Sequence, residues 1–180
     1  MIEANDSQSI LITIFNNIDH RVDAITQAQP DWPCHQGCDL CCRRLPFLPE
    51  LNKAEWALLH EGFQYLTVSV QEVVKQRIAE AKEQADGYIT CPLLDREKGA
   101  CLVYAYRPAA CRMYGFYISR SGNRWCGMIQ EQYEAGFADG IMLGNQQSVD
   151  RELVGNFGES QSIGVWFEKE WELKNHANKC

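Results

Sequence analysis

An amphipathic pattern dominates the beginning of the chain. Apolar residues recur three and four positions apart over residues 7–28, and polar or charged residues separate them. The apolar members are Leu11, Ile14, Phe15, Ile18, Val22 and Ile25. This spacing places them on one face of an α-helix, with Asp6 or Ser7 as its N-cap and Pro30 beyond its end. We expect residues 1–30 to form an N-terminal packing helix.

Two further helices have recognisable start signals. Asn52 is a candidate N-cap with Glu55 three residues later, which is the capping-box pattern, and Gly62 is the expected end of that helix. The pattern recurs as Ser69-x-x-Glu72 at the expected start of the next helix. The expected apolar face of this second helix consists of Val70, Val73, Val74 and Ile78.

The remaining segments are less regular. Four prolines between positions 30 and 49 predict a non-helical loop over residues 31–50. Short strands are expected at residues 101–104 and 114–118. Beyond residue 126 the pattern is ambiguous, although residues 129–137 and 165–173 have helical spacing.

Size and charge narrow the class of protein. A chain of 180 residues, 46% of them hydrophobic, fits one domain with an ordinary core. A net charge of -7 disfavours general binding to nucleic acid or to an anionic membrane. Apolar runs fall short of a membrane span, and the first 15 residues lack the basic start of a secretory signal. We therefore expect a cytoplasmic protein of mainly α fold class, a small α-rich domain over residues 1–180 with short strands.

The cysteines are the unusual feature of the composition. There are nine, and eight of them fall between positions 34 and 126. These eight are Cys34, Cys38, Cys41, Cys42, Cys91, Cys101, Cys111 and Cys126. Thiols stay reduced in the cytosol, and clustered reduced thiols are typical of metal ligands. We expect residues 34–126 to form an irregular metal-binding core that is organised by these cysteines.

The first four cysteines lie within nine residues. Cys38-x2-Cys41 has the knuckle spacing that lets two thiolates reach one ion, and Gly37 can supply the backbone angle of a tight turn. The spacing of Cys34, Cys38 and Cys41 also equals the three-cysteine signature of radical S-adenosylmethionine enzymes. Those enzymes need a large α/β barrel, which the capped helices and the short chain disfavour.

The later cysteines are more widely spaced. Nine residues separate Cys91 from Cys101 and Cys101 from Cys111, and Cys126 follows fifteen positions on. Such spacing suits ligands that arrive from separate turns, as in iron–sulfur or irregular zinc sites. Thiolates suit both, so zinc and an iron–sulfur cluster remain open. Eight cysteines could form one site or two four-cysteine sites. Adjacent Cys41 and Cys42 point in different directions in extended chain, so one of them could serve another site or be structural.

These strings carry a resemblance to a known family. The cluster ending in Cys41-Cys42, then CPLLD, then GACLVYAYRPAACR, resemble the YkgJ family of cysteine-cluster proteins, also called CxxCxxCC. The matching positions are Cys34, Cys38, Cys41, Cys42, Cys91, Cys101, Tyr104, Arg107, Pro108, Cys111 and Arg112. Three residues separate Cys34 from Cys38 here, where the family name has two. The resemblance implies zinc or iron chelation in a bacterial cytosolic protein, and it extends to part of the flagellin lysine-N-methylases, so an enzymatic role is open.

Basic residues accompany the later cysteines. Residues 91–126 contain six basic and two acidic side chains, a net +4 in a chain that is acidic elsewhere. Guanidinium groups can donate hydrogen bonds to thiolate sulfurs. Arg107 and Arg112 are therefore candidate contacts of the bound metal or cluster, and the resemblance adds Tyr104. The alternative is that the arginines are solvated surface; an RNA-binding patch is disfavoured because the rest of the chain would repel phosphate.

Three functions are compatible with this sequence. The first is a cytosolic metal-binding protein that chelates zinc or an iron–sulfur cluster and performs no reaction of its own. The second is an iron–sulfur-dependent enzyme or redox protein. The third is a protein-interaction module that zinc holds together.

Overall fold

The computed structural model describes residues 4–84, 86–120, 122, 125–136 and 138–177, and for residues 4, 5 and 171–177 it describes the backbone alone. Cys180 lies outside the described residues. The helices are α1 (Ala4–Ala28), α2 (Leu40–Arg43), α3 (Lys53–Gln64), α4 (Val68–Glu83), α5 (Ala109–Met113), α6 (Gly127–Glu134), α7 (Gln146–Phe157) and α8 (Ile163–Ala177), with a 3₁₀ turn at Tyr104–Tyr106. The strands are β1 (Glu50–Leu51), β2 (Leu94–Asp95), β3 (Ala100–Cys101), β4 (Tyr117–Ile118), β5 (Gly144–Asn145) and β6 (Gln161–Ser162). The fold is mainly α, which confirms the expected class.

The strands form small pairs that join distant segments. β1 pairs antiparallel with β6, β2 antiparallel with β3, and β4 parallel with β5. Of the two expected strands, the first is confined to β3, and the chain then enters the 3₁₀ turn. The second is confined to β4. Strands of two residues cannot build the α/β barrel of radical S-adenosylmethionine enzymes.

Helix α1 confirms the amphipathic pattern and begins slightly before the expected start. The members of its predicted face that are almost fully buried are Leu11, Ile14, Phe15, Ile18 and Ile25. The helix packs against α3, α5 and α7. Since α5 contains Cys111, this packing fixes one cysteine-bearing element against the body of the fold.

Helix α3 begins with the predicted capping box. The Asn52 side chain accepts hydrogen bonds from the backbone N–H groups of Ala54 and Glu55, at 2.9 and 3.0 Å. The carboxylate of Glu55 accepts one in return from the backbone N–H of Asn52, at 3.2 Å. The expected end at Gly62 is wrong, because the helix continues to Gln64. Gly62 instead gives room to the ring of Tyr106, which a Cβ at this position would meet.

The predicted start of α4 is also wrong. Its N-cap is Thr67, and Ser69 lies inside the first turn. The Thr67 and Ser69 hydroxyl oxygens lie 3.1 Å apart and share a hydrogen bond, so the Ser69 hydroxyl is used there. The buried face runs through Val74, Ile78 and Ala81, whereas Val73, expected on it, is 45% exposed.

The loop expected over residues 31–50 contains one helical turn. Helix α2 carries Cys41 and Cys42 within it. The prolines flank this turn and none falls inside it, so the backbone can close a hydrogen bond from the Arg43 N–H to the Asp39 carbonyl at 3.0 Å. The Arg43 guanidinium also pairs with the Asp39 carboxylate at 2.6 Å.

Among the described residues beyond position 126, the structure has three helices. α6 and α8 contain most of the two segments with helical spacing, with Phe137 outside the described residues. α7 was not apparent from the sequence. Its buried residue is Leu153, so its apolar periodicity is weak, and Asn145 caps it by accepting a hydrogen bond from the Ser148 N–H at 3.3 Å.

Among the side chains that the structure describes, the buried apolar ones form two clusters. The first core joins α3, α4 and α8 and includes Leu59, Phe63, Val74, Ile78, Leu94 and Phe167. The second core joins α1, α5 and α6 and includes Leu11, Ile14, Ile18, Met113, Phe116 and Ile129. In the described part of the chain, every helix is too short or too polar to cross a membrane.

Candidate metal centre

In the helical turn α2, the side chains of two adjacent cysteines point in different directions. In an α-helix successive side chains are rotated by about 100°, so Cys41 and Cys42 face different neighbours. The turn before them is closed by a hydrogen bond from the Cys38 N–H to the His35 carbonyl at 3.1 Å. Gly37 has a φ of 98°, the left-handed angle that the sequence led us to expect there.

Four thiols line one small cavity, and we call them the first thiol group. They belong to Cys34, Cys38, Cys41 and Cys126. The cavity is completed by Pro33, Leu40, Tyr114 and Ile129. The Cys34 thiol donates a hydrogen bond to the Tyr114 carbonyl at 3.4 Å. The fold thus brings Cys126, from the start of α6, to the cluster near residue 38.

The crowding in this group works against free thiolates. Burial, and then the neighbouring thiols of Cys41, Cys38 and Cys126, raise the pKa of Cys34 to about 12. Burial also raises the pKa of Tyr114, with Cys126, Cys41 and Cys34 adding to the effect. Several anions in one desolvated place repel one another, and a bound cation removes this repulsion. The first thiol group therefore has the donor chemistry of a metal site.

The second thiol group consists of Cys42, Cys91, Cys101 and Cys111. The Cys42 thiol is hydrogen-bonded to the thiols of Cys41 and Cys91, and the Cys91 N–H donates to the Cys42 carbonyl at 2.6 Å. Cys101 lies on β3 opposite Leu94 of β2. Cys111 lies in α5 with Cys42, Cys101 and also Cys41 as charge neighbours.

The thiols of the second group also raise one another's pKa. The hydrogen bond with Cys41 lowers the pKa of Cys42, but the hydrogen bond with Cys91 and burial outweigh it and raise the value to about 12. The pKa of Cys101 is raised by burial. Cys111 has accessible side-chain surface, yet the atoms packed around its thiol raise the pKa by desolvation, and Cys42 and Cys101 raise it further.

Cys41 lies at the junction of the two groups. Its thiol lines the first cavity, and its hydrogen bond to Cys42 is the largest cause of the raised pKa that it shows. Within the described residues, no three Cys, His, Asp or Glu side chains are arranged as they stand to hold a metal ion. The thiols are thus gathered as neighbours, and their donor type suits zinc or an iron–sulfur cluster.

Arg107 lies beside the thiols. Its positive charge lowers the pKa of Cys34, Cys101 and Cys111, against the larger effect of burial. The guanidinium carbon lies 3.8 Å from the centroid of the Tyr104 ring, and Nη1 donates to the Tyr104 carbonyl at 3.3 Å. Tyr104 therefore holds the Arg107 guanidinium near both thiol groups.

Arg112 is turned toward helix α1. Its guanidinium donates to the Asp19 carboxylate at 2.6 Å, to the Arg107 carbonyl at 3.0 Å and to the Ala105 carbonyl at 2.8 Å. The guanidinium also lies over the Phe15 ring. Burial lowers the pKa of Arg112, and Asp19 opposes that effect. Its side chain is 10% exposed, so it is not a solvated surface arginine.

Glu55 is a residue near the site that the sequence did not reveal. It is 4% exposed, and its carboxylate accepts a hydrogen bond from the Ala109 N–H at 2.9 Å. Ala109 begins α5, which carries Cys111. The capping box was visible in the sequence, but the second contact crosses 54 positions and has no local signal.

A family model called CxxCxxCC and described as a "putative zinc- or iron-chelating domain" matches residues 33–134. The match covers more than half of the chain and includes both thiol groups. Comparison with the curated proteins and with the solved structures gave no match.

Proposed function

Because this chain belongs to the CxxCxxCC family of zinc- or iron-chelating domains, we propose that it is a cytosolic metal-binding protein whose ligands are the eight cysteines of the two thiol groups. The observation that supports the proposal is that four separate segments bring their thiols close together. These segments are residues 34–42, residues 91–101, helix α5 and the start of α6. We also infer that residues 34–126 form the metal-binding core of one domain.

The chemistry of binding follows from the crowded thiols. A metal ion or cluster needs thiolates, so binding displaces protons from thiols whose pKa is raised. The bound cation then places positive charge beside the thiolates. Without that charge, the same thiols stay protonated. Four thiolates on a divalent ion leave a net charge of about -2. Arg107 lies where it can offset part of that charge, and Tyr104 fixes its position.

Elemental analysis tests this proposal directly. Protein purified without oxygen should contain zinc or iron, and acid should remove it, as native mass spectrometry can show. An iron–sulfur protein is brown, whereas a zinc protein is colourless, so an absorption spectrum separates the two. Folded protein that contains no metal and has disulfides among these cysteines would contradict the proposal.

A matched pair of variants links metal to folding. Binding of a structural metal can contribute on the order of 10 kcal/mol of folding free energy, which is comparable to the stability of a domain. Cys38→Ser should therefore lower metal content and melting temperature together. Cys180→Ser is the control, because Cys180 lies outside the matched residues 33–134, and it should change neither. A Cys38→Ser protein with full metal content would show that Cys38 is not a ligand.

A further inference from the structure

The cavity at α2 and the packing of the cysteines on the two cores sort the eight thiols into two sets, which meet where the Cys41 thiol is hydrogen-bonded to that of Cys42. Cys41 lines the cavity that also contains Cys34, Cys38 and Cys126. The Cys42 carbonyl accepts a hydrogen bond from the Cys91 N–H at 2.6 Å, and the Cys42 thiol is hydrogen-bonded to the thiols of Cys41 and Cys91. Cys41 and Cys42 are adjacent, but a helical turn rotates their side chains by about 100° from each other.

The two sets also pack against different parts of the hydrophobic interior. Cys34, Cys126 and Tyr114 pack against the second core, to which Ile129 belongs. Cys91 belongs to the first core, where Cys42 and Cys101 pack against it. Two cysteines grouped with Cys42 therefore lie on the first core, and two grouped with Cys41 lie on the second.

Each set has the number of thiols that one centre needs. Four thiolates complete a tetrahedral zinc site or hold one iron–sulfur cluster. We propose that the protein contains two separate four-thiolate metal centres, one held by Cys34, Cys38, Cys41 and Cys126 and the other by Cys42, Cys91, Cys101 and Cys111. This inference rests on the proposed metal-binding function and adds the number of centres and the ligands of each.

The charges around the thiols suit two neighbouring anionic centres. Arg107 is a charge neighbour of Cys34 in the first group and of Cys101 and Cys111 in the second. A guanidinium between two anions attracts both and reduces their mutual repulsion. Arg43 is a charge neighbour of Cys42. Its exposed guanidinium also pairs with the Asp39 carboxylate.

Pairs of cysteine substitutions test the division in the full chain. The protein is loaded anaerobically with Zn²⁺, exposed to a weak chelator that strips three-thiolate sites, and weighed by native mass spectrometry. Wild type should retain two zinc ions per chain, and Cys41→Ser and Cys42→Ser should each retain one. The double variant Cys41→Ser/Cys126→Ser should still retain one, because both changes affect the same centre. Cys41→Ser/Cys101→Ser should retain none.

The outcomes separate this inference from the function on which it rests. A single zinc ion or cluster that either Cys41→Ser or Cys42→Ser abolishes would overturn the division and leave metal binding intact. Wild-type protein that binds no metal would overturn both. If a serine variant does not fold, anaerobic titration of wild-type apoprotein with Co²⁺ decides. Thiolate-to-cobalt absorption that rises to two equivalents supports two centres, and saturation at one equivalent overturns them.

Discussion

The carboxylate of Glu55 accepts a hydrogen bond from the backbone N–H of Ala109 at 2.9 Å, which joins the start of α3 to the start of α5. The other carboxylate oxygen accepts from the Asn52 N–H and from the Asn52 side-chain amide, at 3.2 and 2.8 Å. All three partners are donors. Burial raises the pKa of Glu55, although the bonds from Ala109 and Asn52 lower it.

Replacement of Glu55 by glutamine should destabilise the fold. The amide offers one acceptor oxygen where the carboxylate offers two, so its NH₂ group must face a donor of Asn52 or Ala109. A buried donor without an acceptor costs about 1–3 kcal/mol, and we expect a loss of that size in denaturant unfolding. The control is Glu72→Gln, whose carboxylate is exposed and pairs with Lys75 on the helix surface. Equal stability of Glu55→Gln and wild type would show that this link is unimportant.

The same carboxyl group gives a pH dependence with a definite sign. Its pKa is higher in the folded protein than the ordinary value, so the folded state binds its proton more tightly than the unfolded state does. The stability that this pKa shift supplies is therefore fully present below the ordinary glutamate pKa and is lost as pH rises through the raised value. The difference in unfolding free energy between wild type and Glu55→Gln should change in that window and be flat above it.

Gly115 is a position where an added methyl group should disturb the first thiol group. Its φ is +82°, and a Cβ there would lie 2.5 Å from Ile129 Cδ1 and 3.1 Å from Cys34 Sγ. Gly115→Ala should therefore lower stability by about 1 kcal/mol or more and weaken metal retention against a chelator. Gly155→Ala in α7 meets no atom within 4 Å and should be neutral or slightly stabilising, because alanine favours a helix. Similar behaviour of the two variants would contradict the close approach at Gly115.

Arg107 should strengthen metal binding through its charge. Arg107→Ala removes the cation that lowers the pKa of Cys34, Cys101 and Cys111. Protons should then compete better with the metal, and we expect roughly tenfold weaker affinity, the usual size of such supporting effects. Arg107→Lys keeps the charge and should recover part of the loss. Chelator competition measures both, and unchanged affinity in Arg107→Ala would exclude the electrostatic role.

Arg112 should act on the segment between two cysteines. Its bonds to the Ala105 and Arg107 carbonyls hold residues that lie between Cys101 and Cys111, and its pair with Asp19 fixes that segment to α1. Arg112→Lys keeps the charge but loses the planar fork, so melting temperature and metal affinity should both fall. Asp19→Asn removes the ion pair alone and should have the smaller effect. Equal affinity in wild type, Arg112→Lys and Arg112→Ala would contradict this role.

Local signals predicted the parts of the fold that depend on neighbouring residues. The face of α1 and the capping box at Asn52 are set within a few positions, and both are confirmed. The end of α3 was wrong because Gly62 serves a distant ring, that of Tyr106. The start of α4 was wrong because the chain is already helical at Val68, with Thr67 as the N-cap, so Ser69 lies inside the first turn.

The candidate site was predictable in its donors and unpredictable in their grouping. Cysteine spacing identified the thiols, and the assignment of each as a ligand stays a prediction. That Cys126 joins Cys34 depends on the packing of α6 against the second core, which has no counterpart in spacing. The orientation of Arg112 likewise depends on Asp19, which is 93 positions away.

The grouping of the thiols has a consequence for the entropy of the unfolded chain. A metal that joins Cys34 to Cys126 closes a loop nearly twice as long as one that joins Cys42 to Cys91. Closure entropy grows only with the logarithm of loop length, so doubling adds about 0.6 kcal/mol. The two proposed links should therefore restrict the disordered chain almost equally. Any large difference in what each contributes to folding must come from the thiolates and their surroundings, since the length of chain that each encloses hardly matters.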